Sequence, residues 1–478
     1  MNIKLKVLSP LHIGCGEKYS TLDFFIDNRK MYCIEPDVFI SHIGPEKTKR
    51  FVEWIEKCTQ SFDCLENDIF QLKRFKDSIS TEKTRALKRD LSKLKQKFTL
   101  SEFIATNNIG INIIINKSKY FVSVKKGIYN DSEINPFIKQ MHRPYVPGTE
   151  IKGAVRTAIL YGALMNNRSL IDDLKKRLEI FGKEHSSDIE KVRNNKRPDL
   201  KTKNRLVKAM EKTESALQEN VFYYRPQNSR KSDPKFDVMK FLQISDSNTL
   251  DPDKVLAVSY VEPFNITNKF KPVYEFIDPD QTPEITISTF ALEPETSLLK
   301  KLEKMHFSED QKRIVSGLDS IFKACHLFSN DLLEEEIAFF QNHGKPLIAE
   351  KLKQIKTLNT EDAPVLRIGK DEGYNSLTVG LAVKKLAPEL YENVLIHATK
   401  NKSYDSEHGG PLPKSRKIVH WNDEETTAGW VQLIKATEWR PDSTHVPPNQ
   451  KTDDHQSPKT PVDFSQLQDR FKPARKNK

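Results

Sequence analysis

The sequence predicts an α+β fold in which strands are interrupted by long helical segments. Two observations carry this prediction. Residues 3–7 alternate apolar and charged side chains, which is the pattern of a strand with one buried face, and short strand patterns recur along the chain. From about residue 37 to 108 the sequence is instead charged, has helical spacing of its apolar residues and contains almost no glycine or proline. A set of strands split by helical insertions is compatible with the α+β class.

Residues 1–240 are expected to form an N-terminal domain. Its first strand ends in the turn sequence SPLHIGCG, and the following strands surround a helical insertion at about 37–108. A second, basic helical insertion is expected at about 168–220, before the polar and loop-like residues 227–237. The strand patterns of this half lie at 3–8, 22–26, 31–34, 111–115 and 120–124.

Residues 241–437 are expected to form a C-terminal domain of strands and helices, and residues 438–478 a disordered tail. The stretch 296–358 is mainly helical, and its apolar residues are spaced as core positions. The tail is dominated by Pro, Asp, Gln, Thr and Lys, so it cannot bury enough apolar surface to become ordered by itself. The strand patterns of this half lie at 241–246, 256–262, 273–277 and 284–290.

The composition narrows the classes of function. A chain of 478 residues is longer than one domain with a single core usually is, so more than one domain is expected. Lys plus Arg exceed Asp plus Glu by 77 − 66 = 11, and this positive balance suits a polyanionic partner or simply a solvated basic surface. Five cysteines without a CxxC pair argue against a disulfide framework and a zinc site, so we expect no metal and no cofactor. Because no apolar run approaches the roughly 20 residues that span a bilayer and no signal peptide is visible, we expect a cytoplasmic protein without a membrane partner.

The sequence YVPGTEIKG at residues 145–153, which runs into an amphipathic helix, has the features of an anion cradle. A Pro-Gly turn, a threonine able to cap the helix and a glycine in its first turn would expose backbone N–H groups at the positive end of the helix dipole. Two cations one turn apart add positive charge on the same side of the helix. The candidate residues are Pro147, Gly148, Thr149, Lys152, Gly153 and Arg156, with Arg143 just upstream.

Two more glycine-bearing segments could contact a nucleic-acid backbone. The loop after the first strand contains His12, Gly14 and Gly16, and the two glycines permit positive φ or close approach of a ligand. His12 could act as a general acid or base, but a hydrogen-bonding or stacking role is the simpler interpretation. The sequence LRIGKDEGY combines glycines, cations and an aromatic side chain, as a backbone clamp with a stacking platform would. Its candidate residues are Arg367, Gly369, Lys370, Gly373 and Tyr374.

These motifs resemble a known family. LSPLHIGCGEKYSTLDFFID, YVPGTEIKGAVRTAIL, LRIGKDEGYNSLTVG and PLPKSRKIVHW…AGWVQL occur in this order, within residues 1–437. The first two resemble RAMP proteins in general. The last two, placed after a long helical section, are similar to the RAMP subunits (the fifth Csm subunit) that cap the backbone of type III-A CRISPR effector complexes at the 3′ end of the guide RNA.

The resemblance implies a RAMP fold built on ferredoxin-like, RRM-like βαββαβ units with large helical insertions. It also implies a non-catalytic subunit that binds the 3′ region of the crRNA through phosphates, contacts target RNA indirectly and contributes to crRNA maturation and antiviral defence. The implied partners are an adjacent RAMP backbone subunit, the small helical subunits of the complex and host trimming nucleases. Gly14 and Gly16 would then lie near the RNA path.

Two alternatives remain open at this point. One is a RAMP endoribonuclease that processes guide-precursor RNA, with His12 as general acid–base and Lys152 stabilising phosphate charge. The other is a free-standing RNA-binding protein. Asp23, within an apolar strand pattern, is a poor candidate for metal-dependent cleavage, because a lone carboxylate does not form a metal-ligand cluster.

Overall fold

The computed structural model describes residues 1–74, 78–194, 199–224, 233–264, 271–293, 295–398 and 415–436. Within them the chain mixes helices and strands as the sequence predicted. The expected tail at 438–478, most of the loop-like segment 227–237 and Lys414 lie outside the described residues. No helix in the described ranges is both long and apolar enough to cross a membrane.

The strands fall largely where their patterns predicted them, and β1 alternates buried and exposed residues over its whole length. In chain order they are β1 (Ile3–Val7), β2 (Phe24–Asp27), β3 (Lys30–Cys33), β4 (Tyr120–Lys126), β5 (Ile134–Asn135), β6 (Lys139–Gln140), β7 (Arg143–Pro144), β8 (Leu242–Ile244), β9 (Leu256–Phe264), β10 (Val273–Ile277), β11 (Ile285–Ile287), β12 (Phe290–Leu292), β13 (Val365–Arg367), β14 (Arg416–Trp421), β15 (Glu424–Thr426) and β16 (Trp430–Lys435).

The helices include those of the two predicted helical insertions, which are α1–α4 and α7–α9. In chain order they are α1 (Pro36–Ile43), α2 (Pro45–Leu72), α3 (Ser78–Lys97), α4 (Leu100–Thr106), α5 (Ile111–Ile115), α6 (Gly148–Asn166), α7 (Arg168–Glu184), α8 (Ser186–Asn194), α9 (Leu200–Phe222), α10 (Pro252–Val255), α11 (Glu295–Lys304), α12 (Glu309–Ile314), α13 (Leu318–Asn342), α14 (Pro346–Leu358), α15 (Tyr374–Leu377), α16 (Gly380–Leu386) and α17 (Pro388–Asn393). Short 3₁₀ turns lie at Pro234–Phe236, Val238–Phe241, Pro279–Gln281 and Leu395–Ala398.

Two larger sheets organise the described chain. In the first, the strand order is β11-β1-β16-β13, and β1 pairs antiparallel with both β11 and β16. In the second, the order is β15-β14-β9-β4-β3-β2, and off this path β10 pairs with β9 and β5 pairs with β10. Each sheet combines strands from before and after residue 240. The division into two domains at residue 240 stays a prediction. In both sheets, strands from before residue 240 pair with strands from after it.

The main hydrophobic core lies around these sheets and the helices α6, α9 and α13. A second cluster fills the space between the first helical insertion and strands β2 and β3, with Phe25, Phe51 and Phe103 among its buried residues. The insertion therefore has an apolar core of its own, and its outer faces remain free to carry charge.

One predicted strand is wrong. Residues 111–115, INIII, form the short helix α5 after Gly110. A short run of β-branched residues favours a strand by propensity, but such runs cannot be separated from a buried helical turn by pattern alone. Here Ile114 packs into the second cluster, and this burial overrides the local preference.

Candidate nucleic-acid interface

The loop after β1 and the loop after β13 are in direct contact. The backbone N–H of Lys370 donates a hydrogen bond to the carbonyl oxygen of His12 over 2.8 Å. Gly369 has a φ of +89°, and a Cβ at this position would overlap the same carbonyl oxygen. Gly369 is therefore required by a close approach of two protein backbones. Two of the predicted segments, from opposite ends of the sequence, thus form one continuous surface.

The start of α6 lies close to this pair of loops. Helix α15, which begins directly after Gly373, packs against α6. The pKa of Glu372 is raised to about 8, mainly by burial and also by the nearby carboxylate of Glu150 in the first turn of α6, while Arg367 acts in the opposite direction. The three segments singled out in the sequence therefore come together in the fold.

The hairpin of β6 and β7 adds Arg143 to the same region. The N–H of Ile138 donates to the carbonyl oxygen of Ile13 over 2.8 Å, and Gly14 forms an isolated β-bridge with Phe137. These contacts place the hairpin beside the first glycine loop. Arg143 is exposed near its tip.

The cradle at residues 145–153 is built differently from the prediction. Helix α6 begins at Gly148 after the N-cap Pro147, so Thr149 is not the cap and its side chain is exposed. The N–H of Gly148 donates to the carboxylate Oδ1 of Asp246 over 2.8 Å. A side-chain carboxylate of the protein therefore binds the start of the helix, where the sequence predicted a bound anion. Gly148 is needed because a Cβ there would lie 2.7 Å from the backbone oxygen of Ser245.

The two cations of the cradle are also engaged within the protein. Lys152 donates from Nζ to the carbonyl oxygen of Leu242 over 2.8 Å, and burial lowers its pKa. Arg156 forms an ion pair of 2.8 Å with Asp237, and its guanidinium lies 3.9 Å from the ring centre of Phe222. Both side chains hold the segment around 237–242 against α6. Both cations thus have partners inside the protein, and their contact with phosphate stays a prediction.

His12 is a buried side chain. It is 2 % exposed, and its Nδ1 lies 2.7 Å from the carbonyl oxygen of Glu275, to which it donates. Burial is the main reason why its pKa is lowered to about 4, with Lys370 and Lys139 contributing in the same direction. At neutral pH the imidazole is neutral and packs beside the ring of Tyr274, with 4.6 Å between ring centres.

Glu275 is an organising residue that the sequence analysis missed. Its carboxylate is fully buried and accepts hydrogen bonds of 2.8 Å from the hydroxyl of Tyr120 and from the N–H of Phe137. It also forms an ion pair with Lys139. A single glutamate in the apolar strand VYEFI was the available signal, because a buried carboxylate needs partners. Glu275 thereby fixes β10 and the segment leading to the β6–β7 hairpin.

Two of the side chains predicted in the LRIGKDEGY segment face inward. Arg367 is buried and forms an ion pair of 3.2 Å with Glu336, which also binds Arg416 over 2.6 Å. The ring of Tyr374 packs against Gly380, where a Cβ would overlap the ring, and burial raises the pKa of the Tyr374 hydroxyl to about 12. Neither side chain is placed as an open clamp or as a free stacking platform.

The candidate residues divide into exposed and supporting groups. His12, Pro147, Gly148 and Arg367 are buried, and Lys152, Arg156, Gly369 and Tyr374 are half-buried. The exposed candidates are Gly14, Gly16, Arg143, Thr149, Gly153, Lys370 and Gly373. The arrangement offers exposed backbone and two exposed cations, while Lys152, Arg156 and Arg367 bind partners inside the protein.

Two chemical alternatives can be checked against the geometry. The carboxylate of Asp23 accepts hydrogen bonds of 2.7 Å from the backbone and side chain of Ser20, so it closes a local turn. Over the ranges that the structure describes, no group of three or more His, Cys, Asp or Glu side chains is arranged to hold a metal ion.

Comparison with known proteins identifies a family and a fold. A model described as the RAMP superfamily matches residues 4–327, which is more than half of the chain. The CRISPR system Cms protein Csm5 of Methanocaldococcus jannaschii is 24% identical over 394 residues, covering 79% of this chain and 72% of the relative. The Csm5 of Streptococcus thermophilus is 23% identical over 302 residues, covering 60% of this chain and 63% of the relative.

Solved structures agree with these relatives at the level of fold. The crystal structure of T. onnurineus Csm5 matches with a TM-score of 0.54 and 20% identity, covering 90% of this chain and 99% of that one. A chain from the cryo-EM structure of a Csm-crRNA-target RNA ternary complex of a type III-A CRISPR-Cas system matches with a TM-score of 0.57 and 20% identity, covering 91% of this chain and all of that one. The predicted α+β RAMP fold and the resemblance to the fifth Csm subunit are confirmed.

Proposed function

The chain belongs to the RAMP superfamily, and on this premise we propose that it is a crRNA-binding subunit of a type III-A CRISPR (Csm) complex. It caps the backbone filament at the 3′ end of the crRNA and contacts target RNA only through the guide. The similarity to Csm5 proteins and to a chain of a Csm-crRNA-target RNA complex supports this proposal. Its other surfaces pack on the adjacent RAMP backbone subunit and on small helical subunits. By ending the filament, it sets the length of crRNA that is protected from trimming nucleases.

The observation that carries the proposal is the convergence of three glycine-bearing segments on one surface. The contact between Lys370 and His12, the packing of α15 on α6 and the adjacent hairpin bring exposed backbone and the cations Lys370 and Arg143 together. Such a surface suits a phosphate backbone and does not require a particular base sequence.

We propose a binding role without RNA cleavage. A general acid–base for RNA cleavage must be accessible and must exchange protons near neutral pH. His12 is buried, its pKa is lowered to about 4, and its Nδ1 is committed to Glu275. These three observations oppose the endoribonuclease alternative. Site-specific cleavage of repeat-containing RNA by the purified protein, lost in His12→Ala, would restore that alternative.

The proposal is tested by charge reversal at the exposed cations. Lys370→Glu combined with Arg143→Glu should weaken binding of a guide-length single-stranded RNA. It should also lower the dependence of log K on log salt by roughly 0.7 for each RNA phosphate that the variant no longer neutralises. Fluorescence anisotropy across a salt series measures both quantities.

The matched control is Lys353→Glu, which changes the charge by the same amount per residue on α14, outside the three segments. It should leave the salt slope unchanged. An unchanged affinity and slope in a folded double variant would refute the proposed interface.

A further inference from the structure

A cavity of about 470 Å³ opens beside the loop that follows β13. Its walls include Gly369, Glu372, Asn375 and Lys417, which come from that loop, from α15 and from β14. The volume falls within the range of pockets that hold one small molecule, so it can take a single nucleotide but not a length of strand.

The side chain of Asn375 gives this cavity an unmet hydrogen-bonding demand. Asn375 is only 3% exposed, and neither its Oδ1 nor its Nδ2 has a hydrogen-bond partner in the part of the chain that the structure describes. A buried amide without partners costs free energy, and such groups are rare in folded proteins. Neither amide atom is exposed to solvent, so the amide must turn toward the cavity, where a ligand that offers both a donor and an acceptor on one edge would satisfy both atoms.

The charges around the cavity fit a nucleotide in a strand. Lys370 and Lys417 line it, and no carboxylate in the described residues forms an ion pair with either. Deeper in the wall, the carboxylate of Glu336 is shared by Arg367 and Arg416. Asp371 also lines the cavity, so the lining carries four cations (Arg367, Lys370, Arg416 and Lys417) against the three carboxyl groups of Glu336, Asp371 and Glu372. Cations at the rim suit phosphates, whereas the amide at the wall suits a base edge.

We propose that this cavity receives one nucleobase, turned out of the bound RNA strand, with its hydrogen-bonding edge on Asn375. The inference rests on the proposed function, because the strand must first be held by the surface described above. A phosphate or a carboxylate would satisfy only the Nδ2 donor, since both present acceptors alone. The Watson–Crick edge of every nucleobase presents a donor and an acceptor together, which matches the amide. Glu372, protonated at neutral pH because its pKa is raised to about 8, adds a further donor at the wall.

The test is an abasic walk with the full chain. Guide-length single-stranded RNAs, each with one abasic nucleotide at a successive position, are compared with intact RNA by fluorescence anisotropy. The wild-type protein should show one position at which loss of the base weakens binding by about tenfold, the size expected for one base contact. At that position Asn375→Leu should bind intact and abasic RNA alike.

Controls separate the cavity from the fold and from general RNA binding. Asn375→Asp keeps the size of the side chain and should lose part of the effect, and thermal unfolding reports whether both variants are folded. Asn342→Leu, at an exposed asparagine at the end of α13, should behave as wild type. Free mononucleotides that bind as tightly as RNA would show a small-molecule site and overturn the proposal.

The possible failures are distinguishable. If the wild-type protein binds intact RNA but no abasic position matters, or if the sensitive position stays sensitive in a folded Asn375→Leu variant, the base cavity is refuted while the proposed function stands. If the protein does not bind RNA at all, both fall.

Discussion

Gly369 shows how a single residue position depends on a long-range contact. Its φ of +89° is one constraint, and the overlap of any Cβ with the carbonyl oxygen of His12 is a second. Gly369→Ala should therefore lower the free energy of unfolding by about 2 kcal/mol or more, because backbone must move. Chemical denaturation measures this change.

Gly16 provides the matched control for this prediction. It also has a positive φ, of +84°, but nothing lies within 4 Å of the place where its Cβ would be. Gly16→Ala should cost only the backbone strain, about 1 kcal/mol. Equal losses in the two variants would contradict the importance of the contact between the loops.

At the residue scale, sequence reasoning found the right positions but could not assign their roles. The glycines and cations of the three segments do converge, yet Lys152, Arg156 and Arg367 point toward partners inside the protein. Those partners, Leu242, Asp237 and Glu336, lie between 31 and 90 residues away. A motif gives the local spacing of its side chains, and only the tertiary fold decides what each side chain meets.

Helix α6 is joined to the segment before β8 by the ion pair of Arg156 and Asp237. Arg156→Glu should lower the free energy of unfolding by about 1–3 kcal/mol, because it places two carboxylates together at a partly buried site. The charge swap Arg156→Glu with Asp237→Arg should recover part of this loss. Recovery is incomplete because Asp237 also caps the following 3₁₀ turn. Urea denaturation gives the stability of each variant.

RNA binding by the same charge swap separates support from contact. If Arg156 only holds α6 in place, the folded swap variant should bind RNA with the affinity of wild type. A folded swap variant that has lost RNA binding would return Arg156 to the group of direct phosphate ligands.

At the element scale, long segments were predictable and short ones were not. The helical insertions and β1, β9 and β10 followed from their periodicity, because many residues repeat one pattern. INIII at 111–115 contains too few residues to show a period, and its packing under the insertion made it a helix. Short apolar runs of this kind need the fold to be known before they can be assigned.

At the scale of the whole molecule, the two halves of the sequence share their sheets. β1 pairs with β16 along its whole length, from Ile3 opposite Lys435 to Val7 opposite Val431, which joins the two ends of the described chain. β16 lies between β1 and β13 and runs antiparallel to both, so β1 and β13 run in the same direction. The loops that follow β1 and β13 therefore lie at the same edge of the sheet, where they meet. No local pattern records such a register, so this part of the interface could not be predicted from spacing. The order of motifs nevertheless identified the family that contains this topology.

The stability of the whole fold should depend on pH through Glu372. Because burial raises the pKa of Glu372 from 4.5 in the unfolded chain to about 8 in the fold, the folded state holds a proton that the unfolded state releases. The contribution of this group is therefore complete below pH 4.5 and is lost as the pH rises toward 8. His12 acts in the opposite sense, because its pKa is lowered from 6.5 to about 4, and its contribution to stability is lost as the pH falls below 6.5. His12 is unchanged in a variant of Glu372, so its effect cancels when that variant is compared with the wild type.

Glu372→Gln should remove this dependence, because a neutral amide replaces the group that must stay protonated. Relative to wild type, the variant should be more stable at about pH 8 by as much as about 4 kcal/mol and by less than about 1 kcal/mol at about pH 5. Thermal unfolding at both pH values measures the difference, and Glu66→Gln on the exposed face of α2 should show none. A stability gain for Glu372→Gln that is equal at the two pH values would mean that Glu372 is ionised in the fold. The wall of the cavity beside Asn375 would then present an acceptor in place of a donor, and its preference among base edges would change accordingly.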